Sequence, residues 1–448
     1  MSDRLENLTQ QLLDAAKAAG ADAADALAVD GASVSIDVLN GKLEHAERAE
    51  GVDIGLRVMI GQRQANVSAS DTSADTIKTM AERAVAMALE APEDAYIGLA
   101  DPDQLASSWD LDALELADPT REPTPAELEH DALEAEAAAA GIKGVAQVQS
   151  ASAGYGRSNI HLATSNGFSG GYGRTNRSTS AVAISGSGAN MERDYSGEGR
   201  VFQTDLPDAT SIGIKAGNRA VARIGAKQPP SGTFPVLYDE RVSSSLIGHL
   251  LGAINGATIV RGGSWLRDAL GEQVLPDGLS LVEEPHRARI YGSRPFDGEG
   301  LATRMRQIVE NGTLMGWTLD LGTARKLNMQ STASAARGTS SPPSPATSNV
   351  ALTQGNVTRD DLIGDMGTGL LITSLIGSTI NPTTGEYSRG ASGFWVENGV
   401  ITYPVNECTI AGNLRDMLGR IQPANDAQQH HATRVPSILI DAMVLAGA

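Results

Sequence analysis

The chain of 448 residues carries a formal net charge of -19 at pH 7, with 41% hydrophobic and 4% aromatic residues. This length predicts two or three domains, with cores built mainly from Ala, Val, Leu and Ile. A strongly acidic chain repels nucleic acid and anionic membrane surfaces, so neither is an expected partner. One cysteine, an opening MSDRLENL without a leader pattern and no long apolar run predict a cytoplasmic protein.

Residues 1–90 predict a domain that contains a helix, antiparallel strands and a second helix. Apolar residues recur at helical spacing over 4–19 and again over 72–89. Between these helices, alternation at period two predicts four strands, which we place at 26–29, 34–38, 52–58 and 62–70. This order of elements indicates a compact α+β domain.

Residues 91–123 predict an acidic linker, followed by a middle α+β domain over 124–227. Residues 91–140 hold 14 Asp or Glu and a single basic residue, which is typical of a solvated surface. Thr124, Pro125 and Glu127 predict the start of a helix that ends at Gly141. The remaining elements of this domain are strands at 145–152, 158–163 and 181–185, a hairpin turn at 166–167 and a helix over 209–224.

Residues 232–448 predict a β-rich C-terminal domain. A linker at 228–232 precedes a short strand at 234–238 and a helix, and many short strands separated by glycine follow. Residues 333–348 are rich in Ala, Ser and Pro, and we expect a mobile loop there. The predicted fold class is therefore α+β, with a helix and antiparallel-strand N-terminal domain, an α+β middle domain and a β-rich C-terminal domain.

His249 resembles one half of a metal-binding helix. Such a helix offers two ligands about one turn apart and a glutamate that takes a proton from metal-bound water. Upstream of His249 stand Ser244 and Ser245, whose neutral hydroxyls are poor zinc ligands. His249 is therefore either a packed or capping histidine, or the remainder of a degenerate metal site.

Other candidate groups also have structural interpretations. His430 and His431 are either exposed residues or loop ligands, and Cys408 is expected to be a packed thiol rather than a nucleophile. The glycines at 170–173 and 186–188 lack the strand, helix and lysine of a phosphate-binding loop. We expect turns or hairpins at both places.

Several sequence blocks follow one another in order through the C-terminal domain. They are Gly248–Leu250 (GHL), Pro295–Gly300 (PFDGEG), Ile308–Gly312 (IVENG), Ala324–Gln330 (ARKLNMQ), Met366–Leu371 (MGTGLL), Thr384–Gly399 (TGEYSRGASGFWVENG) and Thr409–Leu414 (TIAGNL). The N-terminal domain adds Gly55–Val58 (GLRV) and Ala65–Asp71 (ANVSASD). With these blocks the chain resembles the PmbA branch, also called TldE, of the TldD/PmbA metallopeptidase family.

The resemblance implies one subunit of a heterodimeric cytoplasmic peptidase. In such an enzyme the TldD-type chain holds zinc through a His-Glu-x-x-x-His helix and a later cysteine. Aligned through His249, the ligand and general base of that helix fall on Ser244 and Ser245, and Cys408 is not the equivalent of the zinc-binding cysteine. We therefore expect no metal in this chain and zinc in a TldD-like partner. The expected substrates are extended or unfolded peptides that are matured or degraded, and a homodimer is the alternative assembly when the partner is absent.

The densest block supplies Tyr387, Arg389, Trp395 and Glu397 as candidates for a cavity wall or a subunit contact. The alternative for these residues is a conventional β core with an exposed arginine. Three functional hypotheses follow. The first is an inactive, metal-free partner subunit. The second is a self-sufficient metal hydrolase that uses His249 with His430 or His431. The third is a non-catalytic module that binds or regulates peptides.

Overall fold

The computed structural model describes residues 2–448. Its α-helices are α1 Ser2–Ala18, α2 Ala74–Glu90, α3 Leu111–Leu114, α4 Pro125–Ala140, α5 Ala209–Ala222, α6 Glu240–Ala253, α7 Gly256–Val260, α8 Leu321–Lys326, α9 Arg359–Asp365 and α10 Leu414–Leu418. Short 3-10 helices occur at Pro102–Gln104, Gly188–Asn190 and Gln203–Asp205. Among residues 2–448, no helix combines the length and the hydropathy needed to cross a bilayer.

The strands fall into an N-terminal and a C-terminal group. The first group is β1 Ala23–Leu39, β2 Lys42–Ile60, β3 Arg63–Ala69, β4 Val145–Thr164, β5 Ser169–Ser185 and β6 Glu192–Arg200. The second group is β7 Gly232–Tyr238, β8 Leu281–Glu283, β9 Arg306–Glu310, β10 Thr313–Leu314, β11 Ala335–Ala336, β12 Ser344–Pro345, β13 Val350–Leu352, β14 Gly369–Ile380, β15 Glu386–Glu397, β16 Val400–Asn413, β17 Ile421–Pro423, β18 Thr433–Arg434 and β19 Ile438–Ala446. These elements confirm the predicted α+β fold class.

The first group forms one antiparallel sheet in the order β3-β2-β1-β4-β5-β6. Its strands are longer than the sequence indicated. The strands predicted at 26–29 and 34–38 are both parts of β1, because Gly31 continues the ladder with Gly51 and Ser158 instead of making a turn. In the same way β4 joins the strands predicted at 145–152 and 158–163. The hairpin turn predicted at 166–167 is confirmed between β4 and β5.

Alternation along β1 assigns the two faces of this sheet. Even-numbered residues such as Ala26, Val34 and Ile36 are buried beneath α1 and α2 at one end and α4 and α5 at the other. Odd-numbered residues such as Leu27 and Val29 face away from these helices, because successive side chains of a strand point to opposite faces. One face of the sheet is therefore covered by helices, and the other is available to the C-terminal domain.

The N-terminal and middle segments share this sheet, since β1 pairs with β4 over 14 residue pairs from Asp25 to Val38. The intervening residues 91–123, which we predicted as an acidic linker, make specific contacts with the rest of the chain. Leu114 and Leu116 are buried, and the guanidinium group of Arg325 donates to backbone oxygens of residues 96, 98 and 99. This segment therefore ties the first sheet to the C-terminal domain.

The C-terminal domain contains a closed ring of strand pairings. β16 pairs with β15, followed around the ring by β14, β7 and β19, and β19 pairs back with β16. α6 packs its apolar residues Leu246, Ile247 and Leu250 into the adjoining core. A separate five-stranded sheet has the order β10-β9-β8-β13-β18. The β-rich character predicted for this domain is confirmed.

Residues 333–348, which we call the strap, are not the mobile loop predicted from composition. Ala335 and Ser334 are buried, and β11 pairs with β12 within the strap. At its centre, Arg337 forms an ion pair with Asp25 of β1. The strap also presses closely on β2, where a Cβ atom at Gly55 would overlap the carbonyl group of Thr339. Tertiary contacts therefore order a segment whose sequence has no periodicity.

Asp25 is shared between two arginines at this contact. Its carboxylate receives Arg57 Nε at 2.7 Å and forms ion pairs with Arg57 and Arg337. Burial acts to raise the pKa of Asp25, but the charges of Arg337 and Arg57 outweigh it and lower the pKa. One buried carboxylate thus joins β1, β2 and the strap.

We predict that Asp25→Asn destabilises the protein by roughly 3–5 kcal/mol, because it leaves two buried guanidinium groups without a countercharge. The measurement is the free energy of unfolding in urea. Asp268→Asn is the control, since Asp268 is 86% exposed where it pairs with Arg267, and a loss of at most about 1 kcal/mol is expected there. Equal losses in the two variants would contradict the assigned role of Asp25.

Candidate functional site

Helix α6 carries the residues that the sequence singled out. Asp239 caps the helix by accepting the backbone N–H of Arg241 at 3.2 Å. Ser245 and His249 lie four residues apart and therefore share one side of the helix, with Ser244 one position earlier. The apolar face of α6 enters the core of the C-terminal domain. These three polar side chains lie at the border of that core.

The serine and histidine side chains do not assemble into a donor set. The hydroxyl of Ser245 donates to the backbone oxygen of Val242 at 2.6 Å, within its own helix. His249 Nε2 is buried and has no hydrogen-bond partner among residues 2–448. The imidazole packs edge-on against the ring of Tyr387, with centroids 5.8 Å apart. His249 is thus a packed imidazole whose Nε2 atom makes no hydrogen bond within the described residues.

The charge near His249 disfavours a bound cation. Burial, followed by the positive charge of Arg389, lowers the pKa of His249. A neutral imidazole is able to bind a metal, but the cation that lowers its pKa also repels a divalent ion. Within residues 2–448, no group of three or more His, Cys, Asp or Glu side chains is placed to hold a metal. The donors around His249 therefore do not fit zinc, which needs about three or four nitrogen, sulfur or carboxylate ligands.

His430 and His431 lie in a different environment from His249. Their rings are 4.5 Å apart, and His430 Nε2 is 3.3 Å from a carboxylate oxygen of Glu198 on β6. The neighbouring His430 and Arg200 lower the pKa of Glu198 to about 2. His430 is thus half-buried beside Glu198, between the first sheet and the C-terminal domain, and the predicted exposed pair is only partly correct.

Cys408 is the packed thiol that we predicted. It is 4% exposed and donates to the backbone oxygen of Ala391 at 3.2 Å. Burial raises its pKa to about 11, which keeps it protonated and weakly nucleophilic near neutral pH.

Two of the four residues from the densest sequence block lie in the core. Tyr387 and Trp395 are each 2% exposed, so these two follow the β-core interpretation. Arg389 donates from Nε to the backbone oxygen of Gly377 at 2.7 Å, and Glu397 accepts from Trp395 Nε1 at 3.1 Å. A subunit contact through Arg389 or Glu397 remains a prediction.

The two glycine-rich segments have different roles. Residues 170–173 lie within β5, so of the turn or hairpin predicted there the hairpin is confirmed and the turn is not. A Cβ atom at Gly171 would lie 2.7 Å from the backbone oxygen of Ile160 on the paired strand, so close packing explains this glycine. At 186–188 the turn is confirmed, since Gly186 has a φ of 75°.

Two buried carboxylates that the sequence patterns did not indicate, Asp297 and Glu299, lie beside the strap. Asp297 accepts backbone N–H groups of Glu299, Leu301 and Ala335 at 2.9–3.1 Å. Burial, with the neighbouring charges of Asp297 and Asp320, raises the pKa of Glu299 to about 8. Burial likewise raises the pKa of Asp297. The signal was an Asp-Gly-Glu-Gly run beside apolar residues, but its burial depends on the strap.

Family models match most of the chain. The model described as PmbA/TldA metallopeptidase domain 1 matches residues 24–88, and the central-domain model matches residues 118–224. The model of the PmbA/TldA metallopeptidase C-terminal domain matches residues 231–447. The three matches follow one another along the chain as first, central and C-terminal domain.

Similar proteins match over nearly their whole length. Metalloprotease PmbA of Escherichia coli O157:H7 is 33% identical over 92% of this chain and 90% of its own. A Haemophilus influenzae homolog of Metalloprotease PmbA is 36% identical over 97% and 94%.

Two crystal structures share the fold. A protein from Bacteroides thetaiotaomicron, proposed as a modulator of DNA gyrase, has 27% identity and a TM-score of 0.92, covering 100% of this chain and 99% of that one. TldE from Thermococcus kodakarensis has 18% identity and a TM-score of 0.85, with coverage of 98% and 100%.

The raised pKa of Glu299 predicts a pH-dependent stability. Because the folded chain binds this proton more tightly than the unfolded chain, the stabilisation is complete below pH 4.5 and is lost as the pH rises towards about 8. Glu299→Gln keeps an acceptor for the backbone N–H of Leu321 but cannot ionise. We expect this variant to gain stability relative to the native chain as the pH rises through that window.

The measurement is the free energy of unfolding of both proteins at several pH values, where each unit of pKa difference contributes about 1.4 kcal/mol. Glu310→Gln provides the control, since Glu310 is exposed on β9. A difference between the Glu299 variant and the native chain that stays constant with pH would show that Glu299 does not titrate in this window.

Proposed function

Because this chain belongs to the PmbA/TldD metallopeptidase family, we propose that it is the metal-free subunit of a TldD/TldE-type zinc peptidase. The observation that carries the proposal is the donor set on α6. His249 is accompanied by Ser244 and Ser245, and the charge of Arg389 acts on its imidazole. A TldD-like partner would supply the zinc and the catalytic groups.

Coordination chemistry supports this division of roles. Loss of a single outer-shell partner lowers metal affinity or activity by about 10–100-fold, and loss of first-shell ligands is more severe. A single imidazole with hydroxyl neighbours is therefore too weak a donor set for a catalytic zinc ion. We infer that this chain alone does not cleave peptides.

In the proposed enzyme this chain forms part of the wall that holds an extended or unfolded peptide. Peptides commonly bind to β-rich surfaces through main-chain hydrogen bonds at a strand edge. Maturation or degradation of such peptides in the cytoplasm belongs to this proposal, as does homodimer formation when the partner is absent.

A self-sufficient metal hydrolase has weaker support. It would need His249 to act with His430 or His431, but His249 packs against Tyr387, whereas His430 contacts Glu198. These separate surroundings favour the partner-subunit proposal.

The proposal predicts that zinc-dependent peptide cleavage requires both chains. We expect no cleavage by this chain alone, little by a TldD-like chain alone, and strong cleavage by the mixture, measured with an unfolded peptide. Co-purification of the two chains provides an independent check. Robust zinc-dependent cleavage by this chain alone would refute the proposal.

A variant in α6 tests where the zinc is held. If His249 is not a ligand in the mixture, His249→Ala should lower zinc-dependent cleavage by less than about 10-fold, the smallest loss expected for an outer-shell metal partner. Zinc content and cleavage rate are measured on the same preparation. A larger fall in both, without loss of subunit association, would place a ligand on this chain.

A further inference from the structure

A cavity of about 360 Å³ lies between the first sheet and the C-terminal domain. One wall is apolar and consists of Leu27 and Val29 of β1 with Ile160 and Leu162 of β4. The opposite wall includes residues 335–338 of the strap. We call this space the arginine cavity because it is also lined by Arg174, Arg294 and Arg337.

The three arginines keep hydrogen-bond donors that no group in the described chain satisfies. Nε of Arg174, Nε of Arg294, and both Nε and Nη2 of Arg337 are buried and have no acceptor among residues 2–448. The side chains of Arg337 and Arg294 are only 2% and 10% exposed. Buried donors of charged groups are costly when unpaired, and these donors belong to three arginines that line one cavity, which favours an anionic ligand there.

The carboxylates around the strap are already engaged by other groups. Asp25 is already shared between Arg57 and Arg337. Asp297 lines the cavity, but its oxygens accept three backbone N–H groups. Glu299 lies nearby, and its raised pKa favours the neutral form at pH 7. Asp25 alone therefore does not balance the charges of Arg57 and Arg337.

Two other arginines near the cavity also lack a carboxylate of their own. Glu283 lies 2.9 Å from Arg306 and 3.9 Å from Arg294, so one carboxylate again serves two guanidinium groups. Arg174 of β5 donates to the backbone oxygens of Tyr291 and Ser293 and forms no ion pair with a carboxylate among residues 2–448. Guanidinium groups bind planar carboxylates particularly well, because two parallel N–H groups match the two oxygens.

The space beside the cavity fits a peptide chain. An open groove of about 490 Å³ adjoins it and shares Val29, Ser158, Arg174 and Tyr291 with the cavity. Small residues such as Gly31 and Gly156 line this groove. An apolar wall next to the guanidinium groups suits the last residue of a peptide, because its apolar side chain and its free carboxylate are attached to the same Cα atom.

We propose that the arginine cavity binds the C-terminal carboxylate of an extended peptide whose last side chain is apolar, which rests on the proposed role in peptide handling. The backbone that precedes this residue would lie in the adjoining groove. A partner subunit could still bind the main chain of the same peptide, since the arginine cavity holds only the C-terminal residue.

The first test uses the intact native chain and needs no variant. N-acetyl-Ala-Ala-Leu with a free carboxylate is compared with its C-terminal amide by calorimetry and by the shift in melting temperature. We expect the acid to bind at least about 10-fold more tightly, as charge-assisted hydrogen bonds imply. Equal affinities would refute the proposal. Equally tight binding of N-acetyl-Ala-Ala-Asp amide or of inorganic phosphate would refute chain-end recognition.

The second test changes Arg174, which is only partly buried and has no carboxylate partner to leave unpaired. Arg174→Gln should weaken binding of the acid by about 10-fold or more, while Arg174→Lys keeps the charge and should lose less. Arg267→Gln removes an exposed guanidinium group remote from the cavity lining and is the control. Unchanged binding by the folded Arg174→Gln variant would refute the proposal.

These outcomes separate the anchor from the proposed subunit role. Binding of the acid without support of cleavage by a TldD-like partner would leave the anchor standing and remove the peptidase role. Cleavage by the mixture, with equal binding of acid and amide by this chain, would support the peptidase role and refute binding of the peptide C-terminus in the arginine cavity.

Discussion

The packing of the two halves of this protein depends on one buried carboxylate. Asp25 lies on the face of β1 opposite to the helices, where it pairs with Arg57 of β2 and with Arg337 of the strap. A buried charge is costly unless it is paired, so the buried guanidinium group of Arg337 favours a strap that lies against Asp25 on the sheet. The close contact at Gly55 fixes the same segment a short distance away. With the strap in place, the carboxylates Asp297 and Glu299 are also buried, and the arginine cavity is enclosed beside them.

The other constraint is the position of α6 against the ring of strands. Its apolar residues enter the core, so the polar side that would carry metal ligands lies at the core border. There the chain has one imidazole, two hydroxyls and the charge of Arg389. The fold of a metallopeptidase family is thus retained around a donor set that does not suit zinc. The apolar residues of α6 that enter the core are distinct from the polar residues Ser244, Ser245 and His249 at its border.

Local patterns predicted most helices and several strands. The capping box at Thr124 and Glu127 and the amphipathic spacing of α1 and α2 act within a few residues, and the structure confirms these elements. The errors have a common cause. Gly31 and the glycines at 170–173 suggested turns, but neighbouring strands keep them extended. The strap suggested a mobile loop, because its order comes from Asp25 and β2 rather than from its own periodicity.

The sequence by itself determined the fold class, the packed character of Cys408 and the lack of a second imidazole or a glutamate beside His249. These features depend on residue type and on spacing within one helix or strand. Only the tertiary structure decided that Tyr387 and Trp395 are buried and that three arginines from distant parts of the chain line one cavity. Such features depend on which segments meet across hundreds of residues. No local pattern encodes which distant segments come into contact, since burial and charge balance are properties of the folded chain.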